Sequence, residues 1–193
     1  MSNAGYKAEA RVVTQFEKTG QAVFNRLNGE QVKFPIIDRM WVFGFSTKTK
    51  VDLVVEEYRL QIKATGSKRS AVLNMVPARL LEKVSIEQML DVEPCFQIME
   101  IISNSPKSKV KLSEHFELSE WKELLQYYLF EGTSTGQADP HMQATHLLEV
   151  DGSEFTLIDK QEAIEHIWEG LQAEIRYRKG KNEPCLHIRY SAR

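Results

Sequence analysis

The chain has little that would staple it or anchor it. Its 193 residues include two cysteines, Cys95 and Cys185, too few for a disulfide framework, which points to a reducing, cytoplasmic setting. No window approaches the roughly 18 uncharged apolar residues that a bilayer-crossing helix needs. The start, Met1-Ser2-Asn3-Ala4, lacks the basic and apolar regions of a secretory signal; it reads as an expression remnant and is set aside. Internal repeats, low-complexity tracts and Pro/Gly/Ser-rich linkers are missing as well, so residues 5–193 read as a single domain. The chain contains no GxGxxG, P-loop or GxSxG pattern, so none of the chemistries those motifs carry is indicated. Cys95 lies in an apolar stretch with no histidine beside it, and reads as buried rather than nucleophilic.

A strong overall charge is also lacking. With 25 Lys+Arg against 27 Asp+Glu the net charge is −2, which taken alone argues against a polyanion ligand. The distribution says otherwise. Residues 112–175 hold fourteen acids and two bases, Lys122 and Lys160, a balance of −12. The rest of the chain carries +10, from 23 bases against 13 acids. One basic group is Lys63, Lys68 and Arg69, followed by Arg79 and Lys83. The other is Arg176, Arg178, Lys179, Lys181, Arg189 and Arg193, opposed only by Glu183. Local potential, not total charge, attracts a polyanion. The plainer alternative is a set of solvated faces. If a cleft is built, residues 63–83 and 174–193 share one face, with 112–175 behind it.

What is present is an apolar fraction of 42%, enough for a full core, arranged as mixed helix and strand. Residues 5–28 place Tyr6, Val12, Val13, Phe16, Val23, Phe24 and Leu27 at helical spacing, interrupted near Gly20. Strand texture follows in residues 40–45, 51–55 and 59–64. Pro77 opens a helix, residues 95–102 suit a buried strand, and Ser119 caps a helix through Trp121, Leu124, Leu125 and Tyr128. Strands near 145–150 and 154–158, a helix from Lys160 to Leu171, and a terminal hairpin turning at Gly180-Lys181-Asn182 complete an α/β domain with a mixed sheet flanked by helices. Trp41, Trp121 and Trp168 read as core, and His115 and His166 as surface helix residues.

The chemistry concentrates in Thr49 to Lys63, a tight hairpin centred on Glu56-Glu57. If residues 55 and 58 flank the turn, Asp52 faces Gln61, with Lys63 diagonal to it on the same face, roughly 7–8 Å away. Leu60 and Ile62 then point into the core. An acid, an amide and an ammonium at one end of a sheet suit phosphodiester hydrolysis. Asp52, the Gln61 carbonyl and the Ile62 backbone carbonyl can offer oxygens to Mg²⁺, while Lys63 orients water or stabilises transition-state charge. Glu9, on the first helix, is the best-placed further acid. An ordinary hairpin with Lys63 snorkelling to solvent fits the Asp…Gln-x-Lys pattern equally well. Asp139, His141, His146 and Glu149 lack a standard zinc spacing and lie in a loop-like stretch.

These residues resemble the PD-(D/E)xK nuclease superfamily in its QxK form, and more closely the small type II restriction endonucleases of the MspI and HinP kind. The likeness rests on Gly5-Tyr6-Lys7-Ala8-Glu9, on Asp52 with Gln61-x-Lys63, and on the basic segment Gly66-Ser67-Lys68-Arg69-Ser70 with Asn74. Val51 stands where those enzymes have proline. The resemblance implies a restriction-endonuclease-like core and Mg²⁺-dependent cleavage of duplex DNA at a short specific site by a monomer or homodimer. It also implies a cognate DNA methyltransferase that need not touch the chain. Catalysis would fall to Asp52, Gln61, Lys63 and Glu9. DNA contacts would fall to Lys68, Arg69, Ser70 and Asn74, and to Arg176, Arg178, Lys179 and Lys181. A structure-selective repair or Holliday-junction nuclease, and a non-catalytic DNA-binding module on the same fold, remain as alternatives.

Overall fold

The first helix forms because Ala8, Val12 and Phe16 recur every four residues and all three are buried. In the computed structural model, which describes residues 4–35, 40–42, 49–64, 71–75, 90–133, 136–177 and 184–190, this helix is α1, Ala4–Thr19. It stops earlier than the apolar spacing of residues 5–28 suggests. Gly20 adopts φ +65°, a left-handed conformation that ends a helix at little cost to glycine. Val23 and Phe24 therefore belong to a strand.

Further along the chain come β1 (Gln21–Asn25), β2 (Gln31–Pro35), β3 (Met40–Val42), β4 (Leu53–Val55), β5 (Tyr58–Ala64) and β6 (Ala71–Met75). Helix α2 (Glu93–Asn104), β7 (Val110–Lys111), helix α3 (Leu118–Gln126) and the short strands β8 (Gly132–Thr133) and β9 (Gly136–Gln137) follow. The last elements are β10 (His146–Asp151), β11 (Glu154–Asp159), helix α4 (Lys160–Trp168), β12 (Gln172–Tyr177) and β13 (Pro184–Tyr190). The helix expected from Pro77 and the turn at residues 180–182 lie outside the described residues. No described helix is long and apolar enough to cross a membrane.

The chain divides into two compact units. The first joins Met1–Arg69 to Leu129–Ala163. Its mixed sheet runs β2-β1-β11-β10-β5-β4-β3, with β5 parallel to β10 and antiparallel to β4. Helix α1 packs on it, so that Val12 and Phe16 meet Phe24, Leu60, Ile62, Leu148, Val150 and Leu157 in one core. Phe16 stands edge-on to Phe24 and Phe155 at 5.4 and 5.3 Å. Each such side chain contributes roughly 1.5–3 kcal/mol on burial.

The second unit joins Ser70–Tyr128 to Ile164–Arg193, around an antiparallel sheet ordered β6-β13-β12-β7. Ala71–Met75 thus pairs antiparallel with β13, from Met75 opposite Leu186 to Ala71 opposite Tyr190. Residues 95–102 are helical, not a strand, and α2 packs against β12. Pro94 sits in its first turn, and Cys95, Ile98 and Ile102 are buried while Phe96, Gln97 and Glu100 face out. Three buried positions three or four apart belong to a helix. The start of α3 also shifts: the helix begins at Leu118, and the Glu117 N–H donates to the Glu120 carboxylate at 2.7 Å, so Ser119 is inside the first turn rather than its cap. Trp121 and Trp168 are buried as expected. The terminal hairpin strands fall close to the expected limits.

Candidate active site

A two-residue turn, Glu56-Glu57, joins β4 to β5 and sets their register: Val55 opposite Tyr58, Val54 opposite Arg59, Leu53 opposite Leu60. Glu56 takes φ +53° to close it. Hydrogen-bonded pairs alternate along an antiparallel ladder, so Val51 and Ile62 would be the next such pair. They are not. The chain leaves the ladder at Asp52, whose N–H donates to the Leu60 carbonyl at 2.8 Å. Val51 N–H turns to Thr49 Oγ1 at 3.0 Å, and Ile62 N–H donates to Asp52 Oδ2 at 2.7 Å. A carboxylate has replaced a backbone carbonyl as the acceptor. The Val51 N–H that an undisturbed ladder would aim at the Ile62 carbonyl is thus spent on Thr49.

The Gln61 side chain, buried beside this break, donates its amide nitrogen to the same Asp52 Oδ2. The amide oxygen is then the atom left to meet a cation. Lys63 follows two residues later on β5, and its charge acts on Asp52 and on Glu9 of α1. Glu9, Asp52 and Lys63 therefore share one electrostatic neighbourhood, while Leu60 and Ile62 are buried in the core.

One member of this neighbourhood was not anticipated from the sequence. The Lys50 ammonium acts on Asp52 and Lys63, and the segment carrying it is pinned by Lys50 N–H donating to the Met142 carbonyl at 2.9 Å. The spacing Lys50-x-Asp52 was the available signal.

All four groups are held away from their charged forms. Burial raises the Glu9 carboxyl, and Asp52 adds to this while Lys63 opposes it. Burial also raises Asp52, against the opposing pull of the Ile62 N–H, Lys63, Lys50 and the Gln61 amide. Burial lowers Lys63, with Asp52 and Glu9 opposing. Lys50 is brought down to about 7 by burial and by Lys63. Desolvation outweighs mutual attraction throughout, even at Asp52, where two hydrogen bonds oppose it.

The remaining expected DNA contacts divide between the second unit and residues outside the description. Arg176 lies on β12 and Asn74 on β6, both in the second unit, with Asn74 opposite His187. Lys68, Arg69, Ser70, Arg178, Lys179 and Lys181 lie outside the described residues. His146 and Glu149 are strand residues on β10 rather than part of a loop, and no three His, Cys, Asp or Glu side chains gather as a metal cluster among the described residues. No protein-family model, characterised protein or solved structure matches the chain.

Proposed function

We propose that the chain is a Mg²⁺-dependent deoxyribonuclease that hydrolyses phosphodiester bonds in duplex DNA at a short specific site, a type II restriction endonuclease on a restriction-endonuclease-like core. The observation that carries this reading is the broken ladder at Asp52. It brings the Asp52 carboxylate against the Gln61 amide and the Ile62 N–H, within the field of Lys63. An ordinary hairpin with Lys63 in solvent would keep its ladder and would not desolvate the ammonium.

The donor set fits a hard cation. Mg²⁺ is usually held by one or two carboxylates, with substrate phosphate and water completing its shell. Asp52, Gln61 and the Ile62 carbonyl would hold it, with Glu9 beside them. When bound, it would polarise the scissile phosphate and lower the pKa of an attacking water. A cation beside the two acids and a phosphodiester beside the two lysines would each reverse the shifts that burial imposes.

The chain's own contributions follow from position. Asp52 is oriented by two donors, the Ile62 N–H and the Gln61 amide, so its second oxygen keeps a fixed direction. Lys63 supplies positive charge where the pentacoordinate phosphorus develops negative charge, and it does so from a half-buried position, where such charge counts for more than in open water. A cognate methyltransferase protecting host DNA belongs to the same proposal.

The test is to incubate unmethylated phage or plasmid DNA with the protein and Mg²⁺ and to sequence the fragment ends. Common termini with 5′-phosphates are the expected result. Cutting confined to branched DNA would replace site-specific cleavage with junction resolution. Binding without cutting would leave only a DNA-binding module. Lys63→Ala should bind but lose at least about 100-fold in rate, on the scale of removing one transition-state donor; undiminished cutting would overturn the assignment.

A further inference from the structure

In the second unit, one carboxylate gathers two guanidiniums on the polar side of the sheet. Register places Glu174 opposite His187 and Gln172 opposite Arg189, with Arg176 two residues beyond Glu174 on the same side. Ala173, opposite Ile188, and Ile175, opposite Leu186, occupy the other, apolar side. Glu174 Oε1 pairs with both Arg176 Nη2 and Arg189 Nη2. His187 Nε2 lies 3.8 Å from that oxygen, and the His187 side chain is buried.

Neither the charges nor the donors balance. Among the described residues, two guanidiniums against one carboxylate leave a net positive charge, and Lys109 adds its own field at His187. A guanidinium carries five N–H donors in a rigid fork. Each of these two uses a terminal nitrogen on Glu174, and Arg189 Nε is buried without a hydrogen-bond partner among the described residues. A staple between β12 and β13 would need one guanidinium per carboxylate and would leave no buried donor unmatched. An arriving oxyanion would relieve the unmatched donor and the surplus charge together.

We propose that Arg176, His187 and Arg189, gathered by Glu174, form a phosphoryl-binding site that takes a backbone phosphate of the DNA substrate. The choice of phosphate follows from the fork geometry, which matches tetrahedral oxyanions through paired N–H donors. The choice of a DNA phosphate rests on the nuclease reading above. Glu174 holds both forks in one place and lowers the pull on any anion that cannot receive several donors at once.

The experiment measures binding of a fluorescent duplex to the full-length protein in EDTA, where cutting cannot proceed, across a salt series. Arg189→Gln and Arg176→Gln should each weaken binding about tenfold and flatten the slope of log K against log salt by about 1. Arg189→Lys should restore the slope but not the affinity, because it returns charge without the fork. Glu174→Gln should steepen the slope, a change opposite in sign that a purely structural role would not produce. If both arginine variants melt like the wild type and bind the duplex with unchanged affinity and slope, the proposal fails.

A second arm separates this failure from failure of the nuclease reading. Inorganic phosphate is titrated while the His187 ring signals are followed by NMR. If the wild type binds no duplex, the nuclease reading falls, and phosphate alone then decides the site. A His187 shift that disappears in Arg189→Gln supports a phosphoryl site; no shift in the wild type overturns it.

Discussion

The Ile62 N–H donates to Asp52 Oδ2 at 2.7 Å, so the carboxylate sits where a ladder carbonyl would otherwise be. Structure and proposed chemistry therefore depend on the same oxygen, and substitutions can separate them. Asp52→Asn keeps an acceptor for Ile62 and removes a desolvated charge, so stability should be unchanged or higher while cleavage falls by at least about 100-fold. Asp52→Ala leaves a buried N–H unmatched and should cost about 1–3 kcal/mol. Denaturant melts beside cleavage rates check both; equal destabilisation by the two variants would contradict the acceptor role.

Lys50 makes the complementary case. Its folded pKa near 7 lies far below the ordinary lysine value of 10.5, so between those pH values the unfolded chain binds more protons. Stability should therefore rise with pH across that interval. Lys50→Met should reduce the rise, leaving the share that Lys63 contributes, and raise Tm at pH 7 by several degrees, given that about 1 kcal/mol shifts Tm by roughly 2–4 °C at this size. Under the nuclease reading the same variant should cut more slowly. A thermal melt series from pH 7 to 10 with an unchanged slope would remove Lys50 from the buried centre.

How much of this was legible in the sequence depends on which forces decide each element. The β4–β5 register was, because a two-residue turn between Val55 and Tyr58 leaves one pairing that buries Leu53 and Leu60. The break at Asp52 was not. It arises because Thr49 Oγ1 and the Asp52 carboxylate displace backbone partners, a competition between local side-chain acceptors and the ladder that no periodicity reveals. Lys50 was missed for the same reason. Residues 95–102 form an apolar run that satisfies either period, and Pro94 was the signal that the start of a helix was near. Gly20 interrupts the apolar spacing in the sequence, and its positive φ makes that interruption a helix terminus.

Cys95 offers a test of the α2 packing. Burial, with Asp91 adding to it, pushes the thiol up to about 12, so almost no thiolate exists at pH 8. Cys185 is buried as well. The native protein should release no chromophore from a disulfide dye at pH 8, and both thiols should react only as denaturant unfolds the chain. Rapid reaction without denaturant would mean that Cys95 does not face the core.

His146 gives the molecule an acid limit. Its ring stands edge-on to Tyr58 at 4.8 Å, with Nδ1 2.9 Å from Thr145 Oγ1, and Arg26 lies over the other partner, 5.8 Å from the Tyr58 ring. Burial, and then Arg26, lower its pKa to about 4, while Asp159 and Glu57 pull the other way. The unfolded histidine titrates near 6.5, so between pH 6.5 and 4 the unfolded chain binds more protons than the folded one. Stability must then fall on acidification through that window, and the loss is complete below it. Asp159, which His146 helps to lower, titrates with its own linkage at lower pH. Despite its desolvation, the Glu162 and Gln161 N–H groups hold it below the usual carboxylate value, so it titrates under the window. His146→Phe keeps a ring against Tyr58 and removes the proton site. Its stability relative to wild type should be constant above pH 7 and should improve steadily from pH 6.5 to 4. Parallel urea titrations at pH 7.5 and 4.5 measure the difference, and equal acid losses in the two proteins would show that His146 is not the group that protonates on unfolding.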